Sequence, residues 1–525
     1  MTSTRTRMTA RAYLGITVSV AVGLLVAACS GASTPTGSTV TNPQAATPAG
    51  SWPYPNGDLT NTRVAPDSVI SAANVSGLRE AWAFRLTGLQ LPTGIAAVGA
   101  LTAPPVVTGG VVYLQDQDAN VYALALATGK LKWEYPANVP EKSGPGPDGV
   151  AVSDGAVYGE TSTSAFALSA VTGKTIWVDS NLLNSGQGAF EIQPQVADGR
   201  FYLASAYGSG PGGGLLMALD ASTGRLLWKF NTVIGVGAGV QALGVGSGGA
   251  WETPLVGADG SVTFGIGNPY QSIGQAIAHP SRQLYTDSAV NLDAATGQLR
   301  WYYQAVPDDF VDHDLQSSPI ATTIGGVPVI IAGGKVGIVY ALNARSGALL
   351  WKTPVGEHNG HDNDSLLALS HQLTIRYPYT VAPGSLGGIL SNMAVADGSV
   401  YVATIDLPIT FSSPQSIDGD KAGGPETGEV EALSLATGKV EWDTKVPTLP
   451  LGAATVSNDL VFTTLYNGVL IALNRDTGAI VYQHQLPTST NAPIAVFGNT
   501  ILVPAGGPKT LKGGGNPQLV AYTVP

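Results

Sequence analysis

One eight-residue phrase recurs along this chain and limits what the chain can fold into. LATGKLKW ends at Trp133, AVTGKTIW at Trp177, ASTGRLLW at Trp228 and AATGQLRW at Trp301. ARSGALLW follows at Trp351, LATGKVEW at Trp442 and RDTGAIVY at Tyr482. A short apolar run such as NVYALAL or GIVYALN precedes each phrase, and another such as GGVVYL or GSVYVA precedes that. The unit therefore reads strand, turn, strand, Thr-Gly turn, strand. Glycine takes the positive-φ position of the turn without steric cost, and the Thr or Ser hydroxyl caps it. A tryptophan held at one place in every unit is suited to wedge between neighbours, and six of the nine tryptophans occupy this slot. Four-stranded units repeating at roughly 40–50 residues predict an all-β chain, a β-propeller. Seven units carry the phrase, and NVSGLREAWAFRL supplies an eighth with Trp82 in the same role, so the expectation is an eight-bladed β-propeller with tryptophan-docking repeats. The C-terminal QLVAYTV lacks a phrase of its own and is expected to close the ring beside the N-terminal strands.

The ends of the repeat array set the domain organisation. Arg5, Arg7 and Arg11 precede the apolar LGITVSVAVGLLVAA, and LVAACS follows, so residues 1–28 read as a lipoprotein export signal. Cys29 is the only cysteine, and at the processing point it is best explained as a lipid attachment site. An uncleaved signal anchor with an incidental cysteine is the alternative. Residues 29–51 are small, polar and proline-containing, a flexible tether, and residues 52–525 form the single propeller. This places the chain at the extracytoplasmic face of the cell envelope, held to a membrane by lipid. The net charge of −11 and the lack of a basic patch exclude a nucleic-acid partner.

Two intervals exceed a minimal blade: Trp228 to Trp301 and Trp351 to Trp442. Propellers carry function on such inserted loops. Directly after the first comes PDDFVDHD, in which Asp308, Asp309, Asp312 and Asp314 crowd together in a chain only 12% charged. Like charges so close call for water, hydrogen bonds or a cation. Asp308 and Asp309 read as solvated or turn-capping residues.

The Thr-Gly-Lys-x-x-Trp repeats resemble those of the eight-bladed quinoprotein alcohol dehydrogenases, and equally those of propeller lipoproteins of outer-membrane assembly. WPYPNGDLTNTRVAP, from Trp52 to Pro66, is similar to the opening run of the dehydrogenase branch. The resemblance implies pyrroloquinoline quinone on the propeller axis. It places the indole that stacks under the quinone at Trp251 in GGAWETP, and a metal-binding asparagine at Asn268 in FGIGNPY. The catalytic carboxylate, also a metal ligand, falls on Asp312, and the basic residue that hydrogen-bonds the quinone oxygens falls on Lys335 in IAGGKVGIVYALN. Asp314 resembles the extra carboxylate of members that use a lanthanide in place of Ca²⁺. Carboxylate and amide oxygens suit such hard cations. Each residue also has a structural alternative: another inter-blade wedge for Trp251, a tight turn for Asn268, a surface lysine for Lys335 and a solvated loop for the aspartates.

Two positions depart from the family pattern. Ser209 stands where a metal-binding glutamate is expected, and Asp148 where an arginine should pair with a cofactor carboxylate. In the second insertion, GEHNGHDNDSL gathers His358, His361, Asp362 and Asp364 at no established ligand spacing and reads as a polar loop. No Cys-x-x-Cys-His haem site is present, so electrons would leave to an external acceptor such as a cytochrome or a quinone. The implied reaction is oxidation of a small alcohol or polyol. The alternative is a non-catalytic lipoprotein that serves as a binding or assembly scaffold in the cell envelope.

Overall fold

The computed structural model describes residues 49–87, 99–137, 148–206, 208, 213–234, 247–416, 421–422, 426–507 and 516–525. Cys29, with the export signal and most of the tether, and Ser209 lie outside them. Eight antiparallel sheets follow one another, each of four strands apart from one additional short strand in the third, and the fold is the expected eight-bladed β-propeller. Blade 1 starts at Val106–Thr108, blade 2 at Ala151–Ser153, blade 3 at Gln195–Ala197 and blade 4 at Leu255–Val256. Blades 5 to 8 start at Ile320–Ile324, Ala394–Ala396, Thr455–Ser457 and Ala495–Phe497. These first strands touch their counterparts in neighbouring blades and so line the inner ring. Middle strands such as Val157's Ala156–Glu160 are buried throughout because neighbouring blades cover both their faces. Outer strands such as Leu131–Tyr135 bury only alternate residues.

The recurring tryptophan packs each blade onto the next. Trp133 donates its Nε1–H to the Ala170 carbonyl at 3.0 Å, and Trp177 to Ala221 at 2.9 Å. Trp228, Trp301, Trp351 and Trp442 repeat this with Ala294, Ala344, Leu435 and Arg475. The Thr-Gly glycine faces the indole of the preceding blade: a Cβ on Gly173 would fall 2.6 Å from Trp133, and one on Gly297 2.6 Å from Trp228. The glycine thus serves both the turn, at φ +68 for Gly173, and the close approach of the ring. Trp82 docks on blade 1 in the same way, through Leu126. Its strand, Arg79–Arg85, forms no separate first blade. It is the outer strand of blade 8, paired antiparallel with Gln518–Thr523, so N- and C-terminal segments share that blade and close the ring. Blade 8 therefore offers no Thr-Gly turn to blade 7, where the slot holds Tyr482.

The segment after the tether crosses the ring. Trp52 exchanges backbone hydrogen bonds with Val107 of blade 1, and the Thr60 carbonyl accepts from Ala321 of blade 5, opposite in the ring. Thr62, Arg63 and Val69 bond to blades 6, 7 and 8. Arg63 is fully buried and donates to the Ala454 and Ile494 carbonyls, Thr455 Oγ1 and Asn56 Oδ1. Asn61 donates to the Pro319 carbonyl at 3.0 Å. The Trp52–Pro66 run is thus a floor across the axis, its polar groups satisfied by the inner strands.

The two insertions meet each other. Helix α1, Ile273–Ala278, begins at a capping box built by Ser272 and Gln275. Helix α2 is Asp364–Leu369, and Tyr379–Val381, Ile409–Phe411 and Lys421–Ala422 form a small extra sheet. Ile273, Phe310, Ala368, Tyr379 and Phe411 share one apolar cluster separate from the blade cores. Among the described residues no helix is long and apolar enough to cross a membrane.

Candidate active site

In an antiparallel four-stranded blade, the connection into the blade and the turn between its second and third strands leave the sheet at the same edge. Trp251 lies just before the first strand of blade 4, and Asn268 just after its second, Ser261–Gly265. Asp312 and Asp314 lie in the connection into blade 5, and Lys335 between its second and third strands, Val327–Ala332 and Ile338–Asn343. Strand alternation thus delivers all five residues to one edge of two adjacent blades.

There they meet. Lys335 Nζ lies 2.7 Å from Asp312 Oδ2 and 2.5 Å from Asp314 Oδ2. Asp314 Oδ1 accepts the Asn268 backbone N–H at 2.7 Å, and the Lys335 N–H donates to the Asp314 carbonyl at 2.9 Å. Gly267 brings in the indole: a Cβ there would lie 2.6 Å from Trp251 Cη2 and 2.7 Å from Asp314 Oδ1. Trp251 is therefore no inter-blade wedge, and Lys335 is no surface lysine, since its side chain is only 12% exposed. Asp314 is fully enclosed, whereas the Asp312 side chain keeps 11% exposure and is the carboxylate a small molecule can reach. Asp312 also holds a left-handed φ of +76, uncommon outside glycine, with its side chain anchored by Lys335.

The electrostatics call for more positive charge than Lys335 provides. Burial lowers the pKa of the ammonium, but Asp312 and Asp314 outweigh this and raise it, so Lys335 stays charged. Beside the pair, Asp287 is fully buried with neither carboxylate oxygen hydrogen-bonded. Burial drives its pKa well up, and Asp309, Asp314 and Asp312 push it further. Asp308 and Asp309 are buried and not solvated, and of the two alternatives expected from sequence only turn-capping is met, by Asp309. Asp309 is a turn cap, accepting from the Val311 and His313 N–H groups at 2.9 and 2.7 Å. Gln271 Nε2 donates to Asp308 at 2.6 Å. The stretch reads as loop in sequence, but the capping insertions pack over it.

Sequence reading missed Glu252 and Asp287. Glu252 follows Trp251 directly, and Asn392 Nδ2 donates to it at 2.8 Å. Burial lifts its carboxyl to about 7 against the Asn392 bond and the Arg63 charge. Asp148 accepts from Thr102 Oγ1 at 2.5 Å and from Gln117 at 3.4 Å. Burial lifts it too to about 7, with the Glu252 charge adding. Glu160, fully buried and within reach of the Asp148 charge, is also raised well above the ordinary range, first by burial. A carboxylic acid in a dry site is protonated more readily than it is ionised.

The metal end fits a hard cation. Asn268 Oδ1 is buried and hydrogen-bonded to nothing, and it sits beside the enclosed Asp314 and the reachable Asp312. Among the described residues, the Asp148 end presents the carboxyl groups of Asp148, Glu160 and Glu252 with Thr102 and Gln117 beside them. In the second insertion, His358 pairs with Asp362 at 2.7 Å and His361 with Asp364 at 2.8 Å. That loop is internally paired, as a polar loop should be.

A family model described as "PQQ: Glucose/ethanol/alcohol dehydrogenase, beta-propeller domain" matches residues 52–176 and 199–360, more than half of the chain. The chain belongs to this family. A second model, "Outer membrane protein assembly factor BamB", matches residues 137–242 and 368–522 and so omits every one of the five converging residues, which all lie in the first match. The chain is 26% identical over 442 residues to polyvinylalcohol dehydrogenase of Sphingopyxis sp. (strain 113P3), covering 75% of this chain and 59% of that protein's length. It is 24% identical over 514 residues to quinohemoprotein alcohol dehydrogenase of Comamonas testosteroni, covering 85% of this chain and 70% of the relative. The crystal structure of the Comamonas enzyme superimposes with a TM-score of 0.76 at 22% identity, over 90% of this chain and 80% of that one. A europium-containing methanol dehydrogenase superimposes with a TM-score of 0.73 at 19% identity, over 90% and 98%. The family assignment makes the chain a quinoprotein alcohol dehydrogenase-like propeller.

Proposed function

We propose that this protein oxidises a small alcohol or polyol with pyrroloquinoline quinone and a bound metal ion, Ca²⁺ or a lanthanide, and passes the electrons to an external acceptor such as a cytochrome or a quinone. The observation that carries this reading is the convergence of Trp251, Asn268, Asp312, Asp314 and Lys335, spread over 85 positions of sequence, on one small volume. When bound, the quinone supplies the hydride acceptor and the cation supplies Lewis acidity.

The chain's own groups perform the rest. Asp312, the reachable carboxylate, takes the hydroxyl proton, a contribution of about 10²–10⁴-fold for a positioned base. Lys335 orients Asp312 through a charge-assisted contact of 2.7 Å. Asp314 and Asn268 offer oxygen to the metal, and Trp251 offers a flat face to an aromatic ring. The cap built from the two insertions limits water. Lipid attachment at Cys29 and an extracytoplasmic, membrane-held position belong to the same proposal.

A second reading, a non-catalytic envelope scaffold, is favoured by the half-buried Asp148 where a cation is expected. Addition of pyrroloquinoline quinone with Ca²⁺ or a lanthanide separates the two. Catalysis requires a rise in thermal midpoint beyond that given by the metal alone, and dye reduction with an alcohol that is absent or strongly reduced in Asp312→Asn. No shift beyond that of the metal alone and no turnover with any alcohol would leave the scaffold.

A further inference from the structure

A second set of acids, two buried and one exposed, lies between blades 5 and 6, outside the site above. Glu429 and Glu431, both buried, project from Gly428–Ser434, and Asp443 from the paired strand Val440–Val446. Each contributes a carboxylate oxygen, and these oxygens lie within 4.8 Å of one another. Ca²⁺ binds oxygen at about 2.3–2.6 Å, so ligands on opposite sides of one ion stand about 5 Å apart. A single ion can therefore reach all three.

An independent observation points into the same space. Thr404 is fully buried, and its Oγ1 has no hydrogen-bond partner. It is the direct cross-strand partner of Glu429, so the two side chains leave the same face of the blade. A Cβ on Gly356 would lie 3.2 Å from Thr404 Oγ1 and 3.3 Å from Asp406 Oδ1, while the Gly356 N–H donates to Glu431 Oε1 at 2.7 Å. Hydroxyl and carboxylate oxygens thus converge around a residue that presents no side chain. The local cation is Lys445, which pairs with Glu429 from the rim and keeps a 60% exposed side chain, so it withdraws into water without breaking any core packing.

We propose that Glu429, Glu431, Asp443 and Thr404 Oγ1 form a second cation site, for a hard divalent ion of the Ca²⁺ type, at the junction of blades 5 and 6. Held by the ion, Glu431 keeps its oxygen on the N–H of Gly356, in the turn that leaves the outer strand of blade 5 for the second insertion. The ion therefore fastens the root of the cap and acts in stability, apart from any chemistry at Asp312.

Equilibrium dialysis of the chelator-treated full chain against Ca²⁺ tests this. The wild type binds one ion more than a Glu431→Gln/Asp443→Asn variant, and Asp314→Asn retains that ion. The same ion raises the thermal midpoint of the wild type and of Asp314→Asn, but not of the double variant. Thr404→Val, which preserves shape, weakens this binding about tenfold or more. Should the double variant misfold, Asp443→Asn alone, at an exposed position, shows the same loss. An ion count unchanged in the Asp443 variants, or Ca²⁺ binding abolished entirely by Asp314→Asn, overturns the proposal. One ion retained in Asp314→Asn and lost in the Asp443 variants upholds it even where the metal at Asp314 fails.

Discussion

Lys335 Nζ stands 2.7 Å from Asp312 Oδ2, a contact that ties the turn between two strands of blade 5 to the connection entering that blade. It sets an ammonium against the reachable carboxylate of a residue with a left-handed backbone. Asp312→Asn keeps the shape and tolerates that backbone, so its effect reports the charge. Turnover by the quinone-loaded protein should fall about 10²–10⁴-fold while affinity for the quinone changes little. Lys335→Met removes one partner of a buried pair and should lower unfolding free energy by about 3–5 kcal/mol. Dye-linked kinetics and urea unfolding check the two outcomes.

Gly267 lets Trp251 and Asp314 approach across its missing side chain. Gly267→Ala should force them apart, with a cost of about 1–3 kcal/mol. The increment that pyrroloquinoline quinone with Ca²⁺ adds to the thermal midpoint over Ca²⁺ alone should be lost with it. Calorimetry with Ca²⁺ alone and with quinone and Ca²⁺ together distinguishes this from simple destabilisation, which would preserve that increment.

Asp148 and Glu252 each have a folded-state pKa near 7, raised first by burial from an ordinary value of about 4. Between those values the folded chain binds more protons than the unfolded one, so stability falls as pH rises from about 4 through about 7. Asp148→Asn should flatten that decline. It should also tighten binding of the tricarboxylate quinone and weaken its pH dependence. Thermal midpoints across pH 5–8 and a spectroscopic titration of the cofactor provide the readout.

Arg63 satisfies two carbonyls of the connections into blades 7 and 8 from a fully buried position. Arg63→Met leaves those two carbonyls unpaired, at a cost of about 1–3 kcal/mol for each neutral group stranded, and leaves Asn56 Oδ1 with the 3.4 Å bond from Asn392 Nδ2. Because the same floor reaches Glu252 through Asn56 and Asn392, cofactor affinity should fall along with stability. Loss of stability with affinity intact would show that the floor carries only the ring.

The repeats made the fold legible. A glycine four residues before each tryptophan marks both a positive-φ turn and a seat for an indole, and these are local demands that any sequence must meet in place. Ring closure followed from the missing phrase at QLVAYTV, although the strand holding Trp82 belongs to the last blade and not to a first one. Site residues could be named in sequence because glycine, asparagine and paired aspartates stand in a recognisable order.

What sequence determined by itself was periodicity: β-structure, eight units, a docking tryptophan in nearly every one, and the residue types a cation prefers. What only tertiary structure decided was burial and charge balance. Asp308 and Asp309 look solvated in a loop until the cap covers them, and Glu252, Asp287 and Asp148 acquire their protons from surroundings contributed by other blades. Local chemistry is written along the chain, whereas desolvation depends on neighbours that only folding brings together.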